Sequence, residues 1–255
     1  MKIIALSNQK GGVGKTSTVV NLALFLRDKR EARVLVVDLD AQRNTSSTLQ
    51  ECAAGVTTST LFEQQASLDA LSGEAGKIDL IEGDAGLTDL DRHASPDKVI
   101  EAFVKNLSSL KERYDYCIVD TPPALGLRMT AALIAATHVV TPIEPEQFAI
   151  DGLGQMIRTI KNVKQKYNKK LCFVGILINK LDRRSPDQKE TLQALQAGYP
   201  GFLIPEVIGW KSAIPRALSN RVPLWDVKST AARGAVKELL PALEYIIQEA
   251  DKGGN

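Results

Sequence analysis

Cysteine is scarce in this chain of 255 residues: Cys52, Cys117 and Cys172 stand far apart, and no CxxC pair occurs. Zinc and iron–sulfur sites built from clustered thiolates therefore have no support. Cys117 and Cys172 sit in apolar runs and read as small core residues of a reducing, cytoplasmic compartment. Aromatic residues make up only 5%, which argues against a stacking platform for single-stranded nucleic acid. No apolar run reaches the ~18 residues of a membrane span. The opening stretch before the first glycine loop is too short for the apolar core of a signal peptide. An excess of charge of one sign is also missing, with 32 Lys and Arg against 30 Asp and Glu, so net charge names no partner.

What is present is ordinary globular composition, 44% hydrophobic and 24% charged, which excludes disordered and fibrous classes. Apolar β-type runs fall at 3–7, 34–37, 78–81, 116–119, 138–142, 173–178 and 202–204. Several are apolar throughout, as parallel strands covered on both faces should be. Helical stretches lie between them at 15–28, 96–111, 127–136, 147–166, 186–197 and 230–250. The alternation predicts an α/β fold, a doubly wound and mostly parallel sheet flanked by helices. No repeat or Pro/Gly linker divides the chain, so 1–255 reads as a single domain.

Directly after the first strand comes Gln9-Lys10-Gly11-Gly12-Val13-Gly14-Lys15-Thr16-Ser17. Between a strand and a helix, this is the phosphate-cradling arrangement of a P-loop NTPase. Glycines let backbone N–H groups turn toward phosphate oxygens, and the helix adds its positive end. Lys15 is placed to reach the β- and γ-phosphates and Thr16 to ligate Mg²⁺. The strict pattern needs glycine at position 9, where this chain has Gln9 followed by a second lysine, Lys10. Further on, Tyr116-Cys117-Ile118-Val119-Asp120-Thr121-Pro122-Pro123 is an apolar run ending in an aspartate that can hold Mg²⁺ through water. Two carboxylates, Asp38 and Asp40, follow the second apolar run, at the carboxyl end of a strand.

The K-G-G-x-G-K-[ST] loop resembles the deviant Walker A box of the ParA/MinD branch of P-loop ATPases. The segment Asp38-Leu39-Asp40-Ala41-Gln42 is similar to that family's D-x-D-P-Q switch, with Ala41 in place of proline, and D-T-P-P also matches. The resemblance covers nearly the whole chain and implies ATP and Mg²⁺ as cofactors and an ATPase activity. By resemblance Lys10 reaches across a homodimer to the partner's phosphates, Asp40 orients the attacking water, and Asp38 helps hold the magnesium shell. The same resemblance assigns nucleotide contacts to Gly11, Gly12, Val13, Gly14, Lys15, Thr16 and Ser17, and base contacts to Asn179 and to a loop opening at Pro205. A solvated loop lysine is the bland alternative for Lys10, and a strand-end turn residue the one for Asn179.

Three functional classes compete. Metal-cluster relatives need cysteines that are absent, and a ligase would need a substrate motif that is not seen. A MinD-like membrane-cycling ATPase would need a basic amphipathic terminal helix. Here Val236, Leu239, Leu240, Leu243, Ile246 and Ile247 are spaced as a core face instead. The third class is a ParA-type switch that binds nucleoid DNA without sequence preference, moves a cargo and answers to a ParB-like adaptor. Charge asymmetry favours it: residues 51–101 carry eleven acidic against three basic residues, whereas 158–189 carry ten basic against two acidic. Lys211, Arg216 and Arg221 lead as DNA-binding candidates, with the lysines of 161–170 second, since a lysine-rich helix end is often merely solvated. The sequence opens directly on its first strand, so an N-terminal helix-turn-helix and sequence-specific DNA reading are not expected.

Overall fold

The computed structural model describes residues 1–90, 95–146 and 149–252. In chain order the elements are β1 (Lys2–Leu6), α1 (Lys15–Arg30), β2 (Val34–Asp38), α2 (Asn44–Thr48), β3 (Ala53–Thr57), β4 (Ile78–Glu82), α3 (Leu87–Leu90) and α4 (Pro96–Ser109). The second half adds β5 (Tyr116–Asp120), α5 (Leu127–Ala135), β6 (His138–Ile143), α6 (Ala149–Lys166), β7 (Cys172–Leu181), α7 (Pro186–Gly198), β8 (Leu203–Gly209), α8 (Ala213–Ser219) and α9 (Thr230–Lys252). The strands form one sheet in the order β3-β4-β2-β5-β1-β6-β7-β8. Every pairing in it is parallel.

Strands β2, β5 and β6 are buried at every residue, which is why their sequences lack alternation. Helices pack on both faces. On one face α1 and α9 share a core with the sheet, and on the other α4, α5 and α6 do. Helix α9 sinks Leu239, Leu243, Ile246 and Ile247, none more than 2% exposed. Each such side chain contributes ~1.5–3 kcal/mol of burial. The spacing of these residues therefore marks a core face, and it is covered by the sheet. No helix among the described residues is long and apolar enough to cross a membrane.

Register places the chemistry. Leu6 at the end of β1 pairs with Asp120 at the end of β5, and Asp38 at the end of β2 pairs with the same Asp120. The carboxyl ends of three central strands thus converge where parallel sheets bind ligands.

Two expectations need correction. Cys172 is exposed at the start of β7, whereas Cys117 is buried; the apolar run begins one residue after Cys172. The run at 202–204 does not stop before Pro205 but continues as β8 to Gly209, because an edge strand tolerates proline. Strand β3 was not foreseen: Ala53-Ala54-Gly55-Val56-Thr57 shows no alternation, and its ladder is interrupted by a register shift. Helix α6 begins at Ala149, and the expected start at Gln147 lies outside the described residues.

Candidate functional site

The loop between β1 and α1 is built on two backbone positions that need glycine. Gly12 has φ +77° and Gly14, capping α1, has φ +94°. No side chain caps α1, so its first N–H groups face the loop interior. Asn8 braces the entry by donating to Pro142 O at 2.7 Å and accepting from Lys10 N at 3.0 Å. Lys15 curls across the loop and donates from Nζ to Lys10 O at 3.0 Å. The Lys15 side chain is buried, and burial pushes its ammonium below the usual lysine range against the attraction of Asp120 and Asp40. A buried cation that, among the described residues, has no carboxylate salt bridge and donates to the Lys10 carbonyl is suited to an anion.

Opposite the loop, two buried carboxylates are dressed differently. Thr16 Oγ1 and Thr45 Oγ1 both donate to Asp120 Oδ2 at 2.7 Å. Asp120 Oδ1 is buried with no partner. Burial, reinforced by the charge of Asp38, pushes the Asp120 carboxyl up to about 7. Asp38 has both oxygens engaged: Oδ1 accepts from Asp40 N at 3.1 Å, and Oδ2 accepts from Ser46 N at 2.8 Å and Ser46 Oγ at 2.7 Å. Burial raises the Asp38 carboxyl against those bonds. Among the described residues Asp120 thus keeps one oxygen unengaged, whereas both oxygens of Asp38 are taken, one of them by the Asp40 backbone.

Lys15, Thr16 and Asp40 line a cavity of ≈410 Å³, whereas Asp38 and Asp120 lie behind its lining. Gly11, Gly12, Gly14, Lys15, Thr16 and Ser17 form its floor, and Asp40, Gln42 and Asn44 one wall. The far wall is more apolar: Trp210, Ile214, Pro215 and Leu218, beside Asn179 and Lys180. Val13 itself is buried beneath the loop, and its carbonyl accepts from Asn179 Nδ2 at 3.0 Å. Asn179 in turn accepts from Lys180 N at 3.0 Å. Lys180 takes the left-handed conformation, φ +56°, and donates from Nζ to Gly12 O. The end of β7 therefore clamps the loop from outside.

Other foreseen residues are placed elsewhere. Pro205 is exposed within β8 and does not line the cavity; Pro215 of α8 does. Lys211 lines it and pairs with Glu238 at 3.0 Å. Arg216 and Arg221 are exposed outside it. Lys10 is not among the lining residues; its Nζ pairs with Glu146 and the side chain is exposed.

The sequence reading missed Thr45, Ser46, Lys180 and Trp210. Thr45 and Ser46 could have been sought as hydroxyl donors on the helix following a D-x-D. Trp210 carried no signal beyond following Gly209 at the end of an apolar segment.

A family model described as an AAA domain matches residues 1–173. The chain is 41% identical over 259 residues to Protein IncC of Escherichia coli, covering 98% of this chain and 70% of that one. It is 34% identical over 241 residues to the chromosome partitioning protein ParA of Myxococcus xanthus, covering 89% and 83%. Among solved structures, the ATP complex of a Cyanothece McdA variant superposes with a TM-score of 0.80 at 21% identity, covering 96% of each chain.

Proposed function

Since the chain belongs to the ParA family of P-loop ATPases, we propose that it is an ATP-driven dimerising switch that binds duplex DNA without sequence preference and segregates or positions a cargo. Hydrolysis on stimulation by a ParB-like or other adaptor would reset it. Location on the nucleoid follows from the DNA contact.

The residues present fit a magnesium–nucleotide pair. The orphaned Asp120 Oδ1, the neighbouring Thr16 hydroxyl and the uncapped start of α1 are unmet demands for a cation and for phosphate. Thr16 and Asp120 would hold the metal, Asp120 through water. Magnesium supplies charge stabilisation at the transferring phosphoryl group. Lys15 and the loop N–H groups bind the phosphate oxygens. Ile214, Pro215 and Leu218 exclude water around the base. Asp40, on the cavity wall, orients the attacking water and accepts its proton.

One observation carries the dimer. Lys10 belongs to the phosphate loop yet does not line its own cavity, and Glu146 holds its Nζ outside. Its charge is available to a second subunit, where it completes the transition-state clamp as an arginine finger would. Dimerisation also joins two weak basic patches into one DNA footprint. Lys211, Arg216 and Arg221 are assigned to that footprint. The apolar face of α9 is buried against the sheet and is not free to lie on a lipid surface.

The test is anisotropy of two unrelated duplexes with ATP and with ADP at two salt concentrations. Equal binding of both duplexes, dependent on ATP and falling steeply with salt, is expected, with log K dropping ~0.9 per neutralised phosphate per decade. Binding that survives a Lys211/Arg216/Arg221 triple alanine variant with dimerisation intact places the DNA surface elsewhere. No binding by wild type in any nucleotide state overturns the partition reading.

A further inference from the structure

The loop from Leu39 to Arg43 carries Asp40 and turns on two bonds of its own, Gln42 N to Asp40 Oδ1 at 3.0 Å and Arg43 N to Asp40 O at 2.9 Å. Ala41 has no ring to fix its backbone, and Gln42 and Arg43 are exposed. The loop is also held from outside, and the holding converges on one hydroxyl.

Ser46 lies on the short helix α2 and is 2% exposed. Its Oγ donates to Asp38 Oδ2 at 2.7 Å and accepts from Gly83 N at 2.9 Å. The other oxygen of Asp38 accepts from Asp40 N at 3.1 Å. A continuous chain of bonds thus runs from the exit of β4, through Ser46 and Asp38, to the backbone of Asp40. Gly83 closes the same contact by packing: a Cβ there would fall 2.9 Å from Asp40 O and 3.3 Å from Asp38 O. From the other side, Arg128 donates to Leu39 O at 3.1 Å. Ser46 does not line the cavity, so any effect it has on the reaction passes through Asp38 and Asp40. Its neighbour Thr45 donates to Asp120, so one turn of α2 supplies a hydroxyl to each buried carboxylate.

We propose that Ser46 is a positioning residue for hydrolysis: it fixes Asp38, and through Asp38 the main chain that aims Asp40 at the attacking water. The proposal rests on the role given to Asp40 above. Removing the hydroxyl frees Gly83 N and leaves Asp38 Oδ2 with the backbone bond from Ser46 N alone, so Asp38 is less firmly fixed and the Asp40 loop drifts. A displacement of about 1 Å at a catalytic group costs up to ~100-fold in rate. Phosphate binding does not pass through this chain of bonds, so affinity is spared.

The experiment compares wild type, Ser46→Ala, Ser46→Thr and Gly83→Ala in single-turnover ATP hydrolysis, with nucleotide affinity and Tm measured alongside. Ser46→Ala is expected to lose at least ~10-fold in rate with ATP affinity within ~3-fold. Ser46→Thr restores the hydroxyl and is expected to recover most of the rate. Gly83→Ala pushes on Asp40 O directly, where the added Cβ would fall 2.9 Å away, and is expected to give the same split, which keeps the test decisive if Ser46→Ala folds poorly. A merely structural role would lower Tm and affinity together with rate. That pattern, or a Ser46→Ala rate within ~2-fold of wild type, overturns the proposal. No turnover by wild type, with or without DNA, overturns the ATPase reading and this proposal with it. Turnover by wild type that Ser46→Ala retains overturns this proposal alone.

Discussion

Gly14→Ala probes whether the clamp from β7 sets the phosphate loop. Gly14 sits at φ +94°, a left-handed conformation that costs an alanine ~1–2 kcal/mol. The added Cβ would lie 2.0 Å from Asn179 Nδ2, so Asn179 must leave. Its departure breaks the bond to Val13 O and the bond from Lys180 N, both 3.0 Å, at ~1 kcal/mol each. The sum is ~3–4 kcal/mol, and for a chain of this size each kcal/mol lowers Tm by ~2–4 °C. Thermal unfolding without nucleotide should therefore show a fall of roughly 6–16 °C. The cycle with Asn179→Ala sharpens the test. In the double variant the clash and the bonds are already gone, leaving only the backbone term, so the singles should overshoot the double by ~2 kcal/mol. A Gly14→Ala shift under ~2 °C, or additive singles, refutes the clamp.

Lys15→Ala removes the buried cation and should weaken ATP binding by at least ~10-fold, whereas Asp40→Ala should keep affinity and lose turnover; equal losses in a fluorescent-nucleotide titration would show that these roles are wrongly assigned. Acid should expose Asp79. Burial opposes its charge, but bonds from Tyr114, Gly73 and Ser72 outweigh burial and hold the carboxyl below its ordinary 3.8. A depressed folded value contributes stability above pH ~4 that is lost as pH falls through the folded value. Asp79→Asn should therefore flatten the loss of Tm below pH 4; an unchanged acid limb contradicts this. A thiol reagent should modify exposed Cys172 quickly in the native state and buried Cys117 only on unfolding.

The fold was legible because its strands announce themselves. Val34–Asp38 and Tyr116–Asp120 are uninterrupted apolar runs ending in aspartate, and only a sheet covered on both faces needs such runs. The phosphate loop was legible because backbone geometry there restricts residue choice, with positive φ at Gly12 and Gly14. The rest of the cavity is assembled from residues distant in sequence. Trp210, Ile214 and Pro215 reach it only because β8 runs through Pro205 to Gly209 and α8 turns back over the loop. Asn179 was found by its place at a strand end, but its bond to Val13 spans 166 positions. Asp38 shows a further limit: its place after a strand does not reveal that its oxygens accept from Ser46 and Asp40.

The central claim is that Lys10 acts on a second subunit. Light scattering of Asp40→Ala at micromolar protein, with ATP and with ADP, tests it most directly, using Lys10→Ala in the same background as the comparison. A mass near twice 27.7 kDa is expected with ATP, a monomer with ADP, and failure of the Lys10→Ala partner variant to dimerise while it still binds ATP. A monomer under both nucleotides, or a dimer indifferent to Lys10, would contradict it.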